Sequence, residues 1–161
     1  MGEFTLIEVA GDIEEGDDAK LAQVAAKHPR VIVVLASDGG LVVPALAMGR
    51  LIRGRGYYTA VPSNFECVSA CALMWLAGEK RFISSKGAVG FHASYTIEND
   101  KPQVSATANA IIGRYLGELK LPDEAVAYVT MAPPEDVNWL TPDGGVRAGL
   151  SFTILPDLDG K

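Results

Sequence analysis

Glu66-Cys67-Val68-Ser69-Ala70-Cys71-Ala72-Leu73-Met74-Trp75-Leu76-Ala77-Gly78 is followed by Lys80-Arg81-Phe82 and then by Gly90-Phe91-His92. A serine stands where a polar loop gives way to an apolar helical run. His92 closes the next apolar stretch and is one of 2 histidines in the chain. Upstream, Ser37-Asp38-Gly39-Gly40 sets a glycine pair between a strand-like run and a helix-like run. These segments fix the reading of the whole chain.

Working outward, Val31-Ile32-Val33-Val34-Leu35 is a continuous apolar run that fits a strand buried on both faces, as in a parallel sheet. After the glycine pair, Leu41, Ala45, Met48 and Ile52 recur at helical spacing, with Pro44 tolerable in the first turn. Arg50, Arg53 and Arg55 cluster near that helix end, where they complement the dipole as a solvated surface. Before this, Phe4 to Val9 reads as a strand at a sheet margin. A helix then opens at Asp17-Asp18 and stops at Pro29. His28 reads as a solvated helix-end residue.

Tyr57 to Val61 is the next strand, and Pro62 to Glu66 a loop. The Ser69 helix runs to about Leu76, and Arg81 to Ile83 and Ala88 to Phe91 are short strands. Ser94 to Gln103 is polar and predicted to be a mobile loop. Val104 to Leu119 and Pro122 to Met131 read as helices, Thr141 opens a short turn or helix, and Phe152 to Ile154 is a last strand. Strands alternating with helices predict an α/β fold with right-handed crossovers. No repeat or second domain is visible, so residues 1–161 are read as a single domain.

With 161 residues and 48% hydrophobic content, the chain can bury a real core. A formal charge of -6 gives no basic footprint for nucleic acid. The apolar run Cys67 to Ala77 is too short to span a bilayer. No charged head with an apolar signal core opens the chain, so the compartment is unknown: cytoplasmic by default, periplasmic if a leader was removed. The 2 cysteines lack the other ligands a zinc site needs, and no metal or cofactor is expected. Within a regular helix Cys67 and Cys71 would share a face, poorly placed for a bridge. If Cys67 precedes the helix, a bridge becomes possible; otherwise both are buried thiols.

A serine hydroxyl needs a neighbouring base to become a nucleophile. Ser69 at a helix start would project beside free backbone N–H groups, and these stabilise an oxyanion. Ala70 would supply one donor, and Gly39 or Gly40 a second, since glycine lets backbone approach a substrate. His92 is the candidate general base, which a carboxylate would orient. Each residue alone has a plainer role: N-cap, turn, or structural histidine. Their order along the chain makes the case.

That order resembles the Clp-protease proteolytic subunit and its relatives in the ClpP/crotonase superfamily, especially small ClpP-like proteins of bacteria. Ala36-Ser37-Asp38-Gly39-Gly40 is similar to a motif that usually reads Ser-Pro-Gly-Gly. Ile52 to Ala60 resembles the segment leading to the family's next strand. Val68-Ser69-Ala70-Cys71-Ala72 resembles the nucleophile motif, and Leu76-Ala77-Gly78 with Lys80-Arg81-Phe82 the stretch after it. Val89-Gly90-Phe91-His92 resembles the histidine motif, and Trp139-Leu140-Thr141 through Ala148-Gly149-Leu150 the segment before the final strand.

The resemblance implies a ClpP/crotonase-like fold, with a mainly parallel sheet and crossover helices. It implies a serine peptidase with Ser69 as nucleophile, His92 as base, and Gly39 or Gly40 with Ala70 as the oxyanion hole. Asp38 stands where proline is usual; pointing inward it would oppose an oxyanion, pointing outward it is a turn residue. The family's acid should lie just before Trp139. Ungapped matching puts Val137 there and Asp136 one place earlier, so Asp136 is the choice, ahead of Asp123, Asp143 and Asp100. A Ser-His pair using water or a backbone carbonyl is the alternative.

The implied substrate is a peptide or unfolded segment. The implied assembly is a homo-oligomer, with Val104 to Met131 able to provide the contact or to pack on its own domain. Nothing specifies an ATPase partner, and no GxxxxGK[ST] motif is present. The alternatives are a catalytically weak binding or assembly module on the same fold and, behind it, crotonase-type acyl-CoA chemistry.

Overall fold

The computed structural model describes residues 2–157, which fall into two compact units. The described part of the first comprises residues 2–89 and 152–157; the second is Gly90–Ser151.

The first unit begins with β1 (Thr5–Ala10), α1 (Asp17–Ala25), β2 (Val31–Ala36), α2 (Val42–Gly54) and β3 (Tyr58–Val61). It continues through β4 (Glu66–Val68), α3 (Ala70–Leu76), β5 (Arg81–Ser84) and β6 (Ala88–Phe91), whose last residues enter the second unit. That unit holds a hairpin of β7 (Tyr95–Glu98) and β8 (Lys101–Val104), helices α4 (Ala106–Glu118) and α5 (Asp123–Thr130), then β9 (Asn138–Trp139) and α6 (Pro142–Arg147). The chain then returns to the first unit with β10 (Thr153–Leu155).

The sheet of the first unit has the order β1-β2-β3-β5-β10, with every neighbouring pair parallel. β1 is an edge, as its interleaved polar residues predict. Each of α1, α2 and α3 follows one strand and precedes the next of the sheet, which is the crossover that parallel pairing requires. The expectation that β2 is buried on both faces is corrected: Val31, Val33 and Leu35 are fully buried, while Ile32 and Val34 are half-buried. Its apolar run reflects one sealed face and one partly covered face.

α3 is apolar all round and all of its residues are buried. Its far end is pinned by specific bonds. Thr59 Oγ1 donates to Trp75 O (2.8 Å), Trp75 Nε1 donates to Phe82 O (3.1 Å), and Arg81 Nε donates to Leu76 O (2.8 Å). Trp75 O and Leu76 O are carbonyls of the last turn, which need partners from outside the helix ladder. The Trp75 ring also meets Phe152 edge-on, with centroids 5.8 Å apart. The helix that begins at Ser69 is therefore fixed in position by its C-terminal half.

In the second unit, α4 is capped by Ser105, whose Oγ accepts from Ala108 N (3.2 Å). α6 is capped by Thr141, whose Oγ1 accepts from Gly144 N (3.0 Å). The predicted mobile loop from Ser94 to Gln103 is instead the β7–β8 hairpin, turned at Asn99 and Asp100 with φ of 50° and 59°. Asparagine and aspartate tolerate this left-handed turn, and it matches the twist of the flanking strands. Among the described residues no helix is long and apolar enough to cross a membrane.

Candidate active site

The glycine pair sits against Ser69 because two backbone segments pair there. Val68 N–H donates to Ser37 O and Ser37 N–H donates to Glu66 O, both at 3.0 Å, forming a parallel bridge between Ser37 and Cys67. Ser37 is buried, and its Oγ accepts the N–H of Gly39 (3.1 Å), closing a side-chain turn. The Gly39 carbonyl accepts from Ile13 N–H, and Leu41 N–H donates to Ile13 O, both at 2.9 Å.

Both glycines are required by this geometry. Gly39 has φ 113°, and a Cβ there would lie 2.8 Å from Ser69 Cβ and 3.2 Å from Ser69 Oγ. Gly40 has φ 142°, and a Cβ there would overlap the backbone oxygen of Ile13. The Gly39 N–H is already bonded, whereas among the described residues the Gly40 N–H has no acceptor. Asp38 is exposed, which is the outward placement of a turn residue.

Ser69 has φ 60° and ψ -126°. A residue with a Cβ avoids this region, at a cost of about 1–3 kcal/mol. Although it occupies the N-cap position of α3, its side chain makes no capping bond. The plain structural role of a serine at a helix start is therefore not the one Ser69 has. Its half-buried hydroxyl has no hydrogen-bond partner among the described residues. Ala70 opens the helix, so its N–H has no partner within it.

Cys67 and Cys71 are joined by a disulfide, with Cα atoms 5.2 Å apart. Of the two sequence readings, the bridge holds, because Cys67 lies in β4 and precedes the helix. Sequence reasoning missed β4 itself, whose three residues are too short to show a period.

His92 and Asp136 belong to the second unit. His92 is half-buried, its Nδ1 lies 2.9 Å from Ala93 O, and its ring stands 5.7 Å from that of Tyr95. A carbonyl can only accept, so this bond has Nδ1–H as its donor, and in the neutral tautomer that makes it Nε2 is the accepting nitrogen. Ala93 is itself tied by its N–H to Ala132 O (2.8 Å). Asp136 is exposed, and its Oδ1 accepts from the N–H of Val137 (2.7 Å). Among the described residues no carboxylate bonds to His92.

A groove of about 610 Å³ begins one residue beyond Gly40, walled by Leu41, Val43 and Pro44 with Glu15 and Asp18 at its rim. No group of three or more metal-ligating side chains occurs among the described residues.

No family model matches the chain and no curated protein matches it in sequence. Solved structures do match. One is a membrane-bound stomatin-specific protease, 1510-N, in a serine-to-alanine form. It has a TM-score of 0.72 and 12% identity, over 97% of this chain and 81% of the other. Another is a lysine-to-alanine form of the same protease in complex with a substrate peptide, with a TM-score of 0.67 and 15% identity, over 97% and 76%. At these identities the likeness shows the fold: an α/β, mainly parallel ClpP-like fold, as the motif order implied.

Proposed function

We propose that the chain is a serine peptidase that cleaves peptide bonds through an acyl-enzyme on Ser69. The observation that carries this reading is the Ser69 backbone. A non-glycine residue in the left-handed region, with a hydroxyl that caps nothing and packs on Gly39, is the form of strain found at functional sites.

In this reading Ser69 Oγ attacks the peptide carbonyl and His92 Nε2 takes its proton. The amine leaves with that proton, and water delivered through His92 then releases the acyl group. The N–H groups of Ala70 and Gly40 receive the negative oxygen; Gly40 is preferred to Gly39, whose N–H is occupied by Ser37. The carbonyl of Ala93 sets the imidazole tautomer, the part first given to Asp136. The substrate is a peptide or unfolded segment, consistent with the apolar groove beside Gly40. A homo-oligomer is part of the proposal, by resemblance.

The test is a fluorophosphonate probe read by intact mass, on the parent and on Ser69→Ala and His92→Ala. One probe adduct on the parent, abolished by Ser69→Ala and reduced about 100-fold or more by His92→Ala, is expected. A parent that stays unlabelled yet binds peptide would replace the enzyme by a binding module on the same fold.

A further inference from the structure

We propose that the Cys67–Cys71 disulfide is the device that holds Ser69 in its left-handed conformation, making the two cysteines positioning residues for the nucleophile. This rests on the reading of Ser69 given above. The bridge joins the residue two before Ser69 to the residue two after it, so Ser69 is the centre of a closed covalent ring. Both cysteines are wholly buried, and of the ring's residues only Ser69 is half-buried. The ring is a floor from which one hydroxyl emerges.

The other ties lie to either side of this junction. On the β4 side, the bridge with Ser37 fixes Cys67 and Val68. On the α3 side, the bonds from Thr59, Trp75 and Arg81 act at the last turn. The Ser69 side chain contributes no cap, and its carbonyl accepts from Leu73 N–H at a long 3.3 Å. The disulfide ties the first turn covalently across Ser69 to the strand. A strained residue keeps its conformation only when its surroundings over-determine it. Without the ring, Ser69 is free to return to negative φ. The Ala70 N–H turns with the Ser69 peptide, so hydroxyl and oxyanion donor would be lost from register together.

The test compares three forms: the oxidised parent, the parent reduced with a trialkylphosphine, and Cys67→Ala/Cys71→Ala. In the reduction the phosphine and one water become phosphine oxide, and the bridge becomes two thiols, which alkylation and mass confirm. If the buried bridge resists the phosphine, the double variant carries the comparison. Two quantities are read: the saturation kinetics of fluorophosphonate labelling, and hydrogen exchange of the amides of residues 69–73.

Bridge-free forms are expected to keep the probe's half-saturation concentration and lose about tenfold or more in maximal labelling rate. Their 69–73 amides exchange faster while the rest of the first unit is unchanged. Reoxidation restores the reduced parent, and reductant leaves the double variant unaffected. A simple loss of fold would not give this split.

Labelling that is indifferent to the bridge overturns the inference and leaves Ser69 as nucleophile. A parent that never labels removes the nucleophile reading; the clamp is then judged on exchange alone, and unchanged 69–73 protection overturns it. Bridge-free forms that fail to fold also overturn it, because the bridge then serves the whole unit rather than Ser69.

Discussion

Ser69 and His92 are held by different means. Ser69 sits between a strand bridge, a glycine contact, a pinned helix and a disulfide. Among the described residues His92 has a single polar side-chain tie, from Nδ1 to the carbonyl of the next residue. The contrast fits what each would do in the proposed reaction. A residue in an unfavourable backbone region returns to a favoured one unless several restraints agree. An imidazole in an ordinary conformation needs only its tautomer set, and one carbonyl does that. The surroundings differ in the same sense: α3 is wholly buried, whereas every residue of β7 is exposed.

The sharpest way to break this contrast is to disturb the restraints on Ser69. Gly40→Ala drives a methyl group into the Ile13 backbone at a φ that alanine avoids. A loss of about 3 kcal/mol or more in urea unfolding is expected. A loss under about 1 kcal/mol would show the glycine turn to be adaptable and the restraint picture too rigid.

A milder test concerns charge. The Asp157 carboxylate pairs with Lys86 (2.5 Å) and accepts from Ser63 Oγ (2.6 Å), all within the first unit. The bond from Lys86, then that from Ser63, holds its carboxyl below the ordinary 3.8. Stability from this site is present above that ordinary value and disappears as pH falls through the lower folded-state value. Asp157→Asn should lower the melting temperature slightly at neutral pH and converge with the parent in acid. Melting curves across pH 2–7 check it, and a difference that grows in acid would reverse the assignment.

The smallest expected effect sharpens the His92 side. Asp136→Asn should change fluorophosphonate labelling by less than about threefold, since its carboxylate is exposed and bonded to Val137 N–H. A fall of about 100-fold would restore Asp136 as the orienting acid and give His92 a second support.

The order of the sheet and its crossover helices was legible because buried strands and amphipathic helices leave periods in the sequence. Thr5 to Ala36 and Val42 to Val61 show them plainly. The neighbourhood of Ser69 was legible only as an order of motifs. Its left-handed backbone is imposed by tertiary restraint, and a serine carries no local mark of it. The disulfide turned on whether Cys67 lies in the helix or before it, a boundary that spacing alone leaves open. The hairpin was hidden by its polar composition and by Pro102, although Tyr95 and Ile97 alternate before an Asn99-Asp100 turn. Asp136 came from ungapped matching, which carries no information on where a loop carboxylate points.

The β7–β8 ribbon has a practical use. Its first strand is exposed throughout, and its turn at Asn99 and Asp100 already adopts left-handed backbone. A two-stranded ribbon adds little to a fold's cohesion. A short affinity tag or a dye-bearing peptide spliced between Asn99 and Asp100 gives a handle for immobilising the protein.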